Sequence, residues 1–95
     1  MDRLSSMNAF VTAAELGSYA RAAVRLNMSA QMVAKHVAAL EQRLGARLLN
    51  RTTRRQSLTE LGSAYYERCK HILTEAEAAD SLAQIMNDKI GRAHV

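Results

Sequence analysis

The second half of the chain carries one sustained pattern, in which apolar residues are separated alternately by four and three positions. Such a series has a period of 3.5 residues, the heptad period of a helix that packs lengthwise against another helix. Its members, called the heptad seam below, are Tyr65, Cys69, Ile72, Ala76, Ala79, Ala83, Met86 and Ile90. A capping hydroxyl and an acid precede the series at Thr59 and Glu60, as at the start of a helix. We therefore predict a long helix over 59–90.

A helix of about 30 residues would be about 45 Å long, because each residue adds 1.5 Å. So long a helix cannot fold back over the small domain formed by residues 1–58, called the head below. We therefore expect much of the heptad seam to pair with a second copy of the chain. The small alanines of the seam favour a close approach of the two helices. The alternative is a long helix packed on its own domain. The sequence leaves open whether paired helices run parallel or antiparallel.

Apolar residues recur at helical spacing in the first half as well, and the chain contains no proline. The pattern predicts helices over about 3–16 and 19–26, and a third from an N-cap at Ser29 to about residue 44. Gly17, Asn27 and Gly45 suit left-handed backbone at the ends of these helices. The predicted core residues are Leu4, Met7, Phe10, Val11, Ala14, Tyr19, Ala22, Ala23, Leu26, Val33, Val37, Leu40 and Leu44. The turn of about three residues between the second and third helices predicts a helix-turn-helix.

The helical period ends after Gly45. Residues 47–49 and 56–58 are expected to pair as two short strands around a polar tip at 50–55, forming a β-wing. The predicted fold is therefore mainly α: a winged helix-turn-helix of three helices and a two-stranded wing over 1–58, followed by a long linker helix. We expect residues 91–95 to be a frayed tail.

Charge is distributed unevenly along the chain. Residues 1–58 hold nine Lys and Arg against three acids, whereas residues 59–95 hold four against six. The basic character of residues 1–58 favours a polyanionic partner for that part of the chain. No apolar run approaches the ~18 residues that span a membrane, and the first residues lack the features of a signal peptide. We therefore expect a cytoplasmic protein.

The third helix supplies the candidate contacts to bases. Its face opposite the core is polar and free of acids, so it suits the major groove of DNA. Gln31 can bond adenine, Lys35 can donate to guanine or to a phosphate, and Met32 can touch a thymine methyl. The alternative is a merely solvated helix face.

Phosphate contacts are expected from the wing tip and from two helix ends. The wing residues predicted to bind DNA are Arg51, Thr53, Arg54 and Arg55, with one arginine suited to the minor groove. The alternatives are a solvated charged loop and, for Arg51, a side chain folded back onto an acid of its own domain. Ser18 and Ser29 stand at helix N-termini, where backbone N–H groups favour phosphate, and each can also simply cap its helix.

Enzymatic and metal-binding functions find little support in the sequence. His36, His71 and His94 are far apart, and the single cysteine, Cys69, can neither form an internal disulfide nor anchor a zinc site alone. No glycine-rich phosphate loop or nucleophile–base arrangement occurs. We expect neither enzymatic activity nor a cofactor.

The residues from about 2 to 75 together resemble the N-terminal domain of LysR-type transcriptional regulators. The resemblance is carried by Phe10, Glu15-x-Gly17-Ser18-Tyr19, Ala22-Ala23, Leu26, Ser29, Leu40-Glu41-x-x-Leu44-Gly45, Leu48-Leu49-x-Arg51 and Leu58-Thr59-x-x-Gly62. It implies a third helix that enters the major groove and a linker helix that pairs two subunits. It also implies inverted-repeat promoter sites, tetramers built from dimers, and an effector that binds a separate C-terminal domain.

Two features depart from the family pattern. Members commonly carry Ser and then Arg where this chain has Ala34 and Lys35. Ala34 therefore offers only an apolar contact, and Lys35 lacks the paired N–H donors of an arginine guanidinium group. The chain also lacks a counterpart of the effector domain, which suggests a fragment or a truncated protein. Two rival functions remain: a coiled-coil dimerisation module whose head binds protein, and a metal-sensing winged-helix repressor.

Overall fold

A computed structural model describes residues 1–51 and 56–93, with side chains for 1–50 and 56–88. The element order is α1 (Arg3–Leu16), α2 (Tyr19–Leu26), α3 (Ala30–Leu44), β1 (Leu49–Arg51), β2 (Gln56–Leu58) and α4 (Glu60–Ala93). This arrangement confirms the predicted winged helix-turn-helix followed by a long helix. The molecule measures 59 × 25 × 21 Å, and α4 supplies its length.

Local signals place the ends of the first three helices where the sequence predicts them. Gly17, Asn27 and Gly45 adopt φ values of 70°, 56° and 68°, and each ends its helix in the left-handed region. Ser18 and Ser29 begin the next helices, because each side chain accepts a hydrogen bond from a free backbone N–H of the first turn. The turn between α2 and α3 is three residues long, as predicted.

Helix α1 lies at the centre of the head and packs against α2, α3 and α4. On one side it contributes Met7, Phe10 and Val11 to a core that also holds residues of α3, the wing and α4. On the other side, Ala9 and Ala13 let α2 and α3 approach closely. Most predicted core residues are buried or half-buried.

Two predicted core residues are largely exposed. Leu44 is 39% exposed because it is the last residue of α3, where the chain turns away at Gly45. Leu4 is 42% exposed because it lies in the first turn of α1, at the rim of the head. The prediction for these two positions is wrong.

The first wing strand lies two residues later than the predicted 47–49. Leu49 pairs with Leu58 in an antiparallel ladder, so residues 50 and 51 belong to the strand rather than to the tip. The reason is a tertiary contact: Glu41 of α3 accepts hydrogen bonds from the N–H groups of Leu48 and Leu49, and the Leu48 carbonyl accepts one from the Thr59 N–H. The Leu48–Thr59 bond continues the pairing by one residue, and Glu41 holds the Leu48 and Leu49 N–H groups where the ladder begins.

Helix α4 has two halves with different surroundings. Cys69 is fully buried in the head, and Leu73 packs against the same core. From residue 77 to residue 88 every side chain is exposed. The helix continues to Ala93, three residues beyond the predicted end at residue 90, while residues 94 and 95 lie outside the described part. Fraying at this end stays a prediction.

Candidate nucleic-acid interface

The exposed face of α3 is the candidate contact surface. Gln31, Lys35, Ala38 and Gln42 are exposed, as the helical period predicts, and Met32 is 40% exposed on the flank. Ala34 is half-buried, so its methyl group is only partly available. The residues opposite this face, Val33, Val37 and Leu40, are anchored in the two cores. The buried stripe thereby fixes which side chains α3 presents outward.

The acids of the head are all engaged within the chain. Asp2 accepts hydrogen bonds from the backbone and hydroxyl of Ser5, which lower the pKa of its carboxyl group. Glu41 accepts from two wing N–H groups at 2.8 and 3.4 Å. Glu15 accepts from the hydroxyl of Tyr66 at 2.7 Å. No acid therefore lies on the outward face of α3, and the basic side chains of the head dominate its electrostatics.

The two serine caps lie where the sequence predicts them. The Ser18 Oγ accepts from the Arg21 N–H at 3.3 Å, and the Ser29 Oγ accepts from the Met32 N–H at 3.1 Å. Capping is thus confirmed for both residues. A role in phosphate binding remains a prediction.

The wing strands are present, but the predicted wing contacts fall at the limit of the described structure. Arg51 lies in β1, and its side chain is outside the described part. Thr53, Arg54 and Arg55 are also outside it. Their expected contacts with DNA stay predictions from the sequence.

The heptad seam divides between the head and the free half of α4. Cys69 is fully buried against its own head, so its assignment to a dimer contact is wrong, and Tyr65 packs on Phe10 with ring centroids 5.8 Å apart. Heptad spacing identifies an apolar face but does not tell which partner covers it. Burial also raises the pKa of the Cys69 thiol, which keeps it protonated.

Farther along the seam the side chains are free to meet a partner. Ile72 is 41% exposed and Met86 is 54% exposed, Ala79 and Ala83 are exposed, and Ala76 is half-buried. The side chain of Ile90 lies outside the described part. Leu82, about 40° around the helix from Met86, is 59% exposed and widens this stripe, whereas the exposed Ile85 lies about 100° from Met86 and outside it.

Three contacts escaped the sequence analysis. His36 is buried in α3 and shares a hydrogen bond of 2.8 Å with the Ser6 hydroxyl of α1. Glu41 of α3 accepts a hydrogen bond from the N–H of Leu48, the residue before the first wing strand. The Tyr66–Glu15 bond joins α4 to α1, and burial, followed by this bond, raises the pKa of Tyr66 to about 12. Two of these bonds link residues 30 and 51 positions apart, and the Glu41 bond reaches seven positions forward between two elements, so no helical or strand period predicts them.

The described residues form neither a metal cluster nor a membrane-spanning helix. Among residues 1–51 and 56–93, no group of three or more His, Cys, Asp or Glu residues could hold a metal ion. Within the same ranges, no helix has the length and apolar character needed to cross a membrane.

Known proteins of similar sequence are transcriptional regulators. The chain is 38% identical over 96 residues to the HTH-type transcriptional activator AaeR of Escherichia coli, covering 100% of this chain and 31% of AaeR. It is 47% identical over 75 residues to the HTH-type transcriptional regulator CrgA of Neisseria meningitidis, covering 79% of this chain and 25% of CrgA. The chain thus spans less than a third of the length of these two relatives.

Several solved structures of similar fold are complexes with DNA. The crystal structure of the BenM_DBD/catB site 1 DNA complex superposes with a TM-score of 0.84 at 26% identity, covering 90% of this chain and 94% of that one. The CbnR_DBD–DNA complex gives a TM-score of 0.81 at 32% identity, covering 90% and 98%. A family model described as "Bacterial regulatory helix-turn-helix protein, lysR family" matches residues 4–63. This match takes in the whole winged head, and the chain therefore belongs to the LysR family of bacterial regulatory helix-turn-helix proteins.

Proposed function

We propose that this chain binds double-stranded DNA sequence-specifically as a homodimer and thereby regulates transcription. The observation that carries the proposal is the outward face of α3, which is polar, exposed and free of acids while its buried side is locked into the head. The similarity to BenM_DBD and CbnR_DBD, both solved in complexes with DNA, supports it. Such a face matches the donors and acceptors of the major groove.

Three exposed side chains of α3 would read bases. Gln31 would bond the N6 and N7 positions of an adenine, and Lys35 would donate to a guanine or to a neighbouring phosphate. Met32 would touch a thymine methyl, and the half-buried Ala34 would add a small apolar contact. Because the ammonium group of Lys35 is a point charge without the paired donors of a guanidinium group, we expect weaker discrimination at the base that it contacts than an arginine would give.

Other groups of the head would hold the phosphate backbone without reading sequence. The N-termini of α2 and α3, at Ser18 and Ser29, present free N–H groups that favour an anion. The wing would contribute its predicted contacts from Arg51, Thr53, Arg54 and Arg55. Loss of Arg54 should weaken binding to all duplexes alike and flatten the salt dependence, since each phosphate contact releases counterions.

The free half of α4 would pair two copies. Its exposed stripe holds Ile72, Leu82 and Met86, and apolar side chains that share one exposed helix face favour burial against a second copy. Two heads carried on paired helices would meet two half-sites, so we expect an inverted-repeat target. In a longer protein, further contacts could join dimers into tetramers.

Replacement of Lys35 tests the reading face. On the duplex that the wild-type protein selects from a random library, Lys35→Ala should lower the preference for the base it contacts by about 1 kcal/mol, the lower end of the range for a bidentate pair. Arg68→Ala removes the same charge from an exposed position on α4 and should leave the preference unchanged. If Lys35→Ala kept both the site and the affinity of the wild type, the assignment of this face would be wrong.

A second pair of variants tests the dimer. Met86→Lys places a charge in the exposed apolar stripe and should shift the protein toward monomer in sedimentation equilibrium. Gln84→Lys adds the same charge on the opposite side of the exposed helix and should leave the dimer intact. A monomeric wild-type protein would contradict the proposal. A dimer with no affinity for DNA would instead favour the protein-binding module.

A further inference from the structure

One polar pair is buried between α1 and α3. The Oγ atom of Ser6 in α1 lies 2.8 Å from Nδ1 of His36 in α3, and the two side chains share a hydrogen bond. Ser6 is 2% exposed and His36 is 8% exposed. The other buried side chains of α3, which the structure describes in full, are the apolar Val33, Val37 and Leu40. The Ser6–His36 bond is therefore a directional contact on an otherwise apolar side of α3.

Apolar packing by itself does not fix the rotation of α3 about its own axis. Hydrophobic burial is non-directional, so Val33, Val37 and Leu40 tolerate a small rotation at little cost. A buried hydrogen bond does not, because turning the His36 ring away from Ser6 would leave an unsatisfied polar group inside the head. A satisfied buried polar pair thus selects one arrangement of the two helices that carry it.

A second polar contact lies on the other flank of the apolar stripe. Glu41 accepts hydrogen bonds from the N–H groups of Leu48 and Leu49. His36 and Glu41 are five residues apart, which is about 140° around the helix, and the apolar stripe lies between them. The Ser6–His36 bond therefore holds α3 on the side of α1, and the Glu41 bonds hold it on the side of the wing.

We propose that Ser6 and His36 are positioning residues that set the sequence discrimination of α3, although both are buried. The proposal rests on the proposed function, in which Lys35, the neighbour of His36, contacts a base. Rotating α3 by about 10° would move an atom about 6 Å from the helix axis by about 1 Å. Hydrogen bonds to bases span only about 2.7–3.2 Å, so this shift breaks them.

Contacts with phosphates respond differently to the same rotation. The attraction between a charged side chain and a phosphate falls off gradually with distance, so a shift of about 1 Å changes it little. Binding that does not depend on sequence comes almost entirely from this attraction. Loss of the Ser6–His36 bond should therefore weaken binding to the selected sequence and spare binding to unrelated sequences.

A double substitution removes the bond without leaving an unpaired group. Ser6→Ala together with His36→Met replaces both partners by apolar side chains, so we expect a melting temperature within about 5 °C of the wild type at equal protein concentration. Affinity is measured on the duplex that the wild type selects from a random library and on a duplex of scrambled sequence. The ratio of these affinities should fall about tenfold, roughly the loss of one base contact, with affinity for the scrambled duplex unchanged.

Two control variants separate positioning from stability. Ser6→Thr keeps the hydroxyl group and should keep the wild-type ratio of affinities. Cys69→Ala weakens the same core from α4 and leaves Ser6 and His36 in place. It should lower the melting temperature and leave the ratio unchanged, provided that binding is measured well below that temperature.

Three results would each overturn the proposal. The double variant would keep the wild-type ratio, or Ser6→Thr would lose as much discrimination as the double variant, or Cys69→Ala would lose as much. In each case selection of an inverted repeat by the wild type would leave the proposed function standing. A wild-type protein that binds no duplex, or binds all duplexes equally, would remove both.

Discussion

Gly62 is the point at which α4 passes closest to the wing. A Cβ atom added there would lie 3.1 Å from Thr59 Oγ1, 2.9 Å from the Leu48 carbonyl carbon, and far inside van der Waals contact with the Leu48 carbonyl oxygen. Because the Leu48 atoms belong to the backbone, no side-chain rotation can relieve the clash. Either α4 or the wing must move, and the 3.0 Å bond from the Thr59 N–H to the Leu48 oxygen would break.

Gly62→Ala should therefore destabilise the protein although alanine is the better helix former. The higher helix propensity contributes about 1 kcal/mol of stability. Overpacking costs about 1–3 kcal/mol, and the lost hydrogen bond costs about 1 kcal/mol more. The expected net loss in the free energy of unfolding is about 2 kcal/mol.

Urea denaturation followed by circular dichroism at one fixed protein concentration measures this loss, because dimer stability depends on concentration. Ser63→Ala, at the exposed neighbouring position of the same helix turn, is the control and should change stability by less than about 0.5 kcal/mol. A Gly62→Ala variant as stable as the wild type would refute the close approach of α4 to Leu48.

Two further predictions concern the helix ends and the joint between α4 and α1. Ser29→Ala should cost about 1 kcal/mol in the free energy of unfolding, measured in urea, because the N–H of Met32 loses its cap. Tyr66→Phe should cost about 1 kcal/mol near neutral pH, since Glu15 loses its hydrogen-bond donor. The folded pKa of Tyr66 is raised from 10.0 to about 12, so its contribution is complete below pH 10 and is lost as the pH rises toward 12. Unfolding curves of the Phe variant should lack this alkaline component, and an identical alkaline loss in both proteins would contradict the assignment.

The parts of the fold that the sequence predicts are those set by neighbouring residues. Helix ends depend on caps and left-handed residues such as Ser18, Gly17 and Asn27, whose effects act within one turn. The polar outer face of α3 follows from the helical period once its apolar stripe is known. Predicting these features requires only residues within about one helical turn, so it needs no knowledge of contacts with distant parts of the chain.

The parts that the sequence missed depend on contacts between different elements of the fold. The register of β1 is set by Glu41, which takes the N–H groups of Leu48 and Leu49. The burial of His36 depends on Ser6, thirty positions earlier. Cys69 lies on the heptad seam like Met86, but the head covers one and leaves the other exposed. The spacing of apolar residues shows that one face of a helix is apolar, but only the tertiary structure shows which residues cover that face.

Selection of duplexes from a random library, followed by sequencing, tests the central claim most directly. The experiment uses the 95-residue protein at low and at physiological salt. We expect enrichment of an inverted repeat, whose half-site spacing reports the separation of the two heads in the dimer. Binding without enrichment would contradict sequence-specific recognition by α3, and no binding even at low salt would contradict DNA binding altogether.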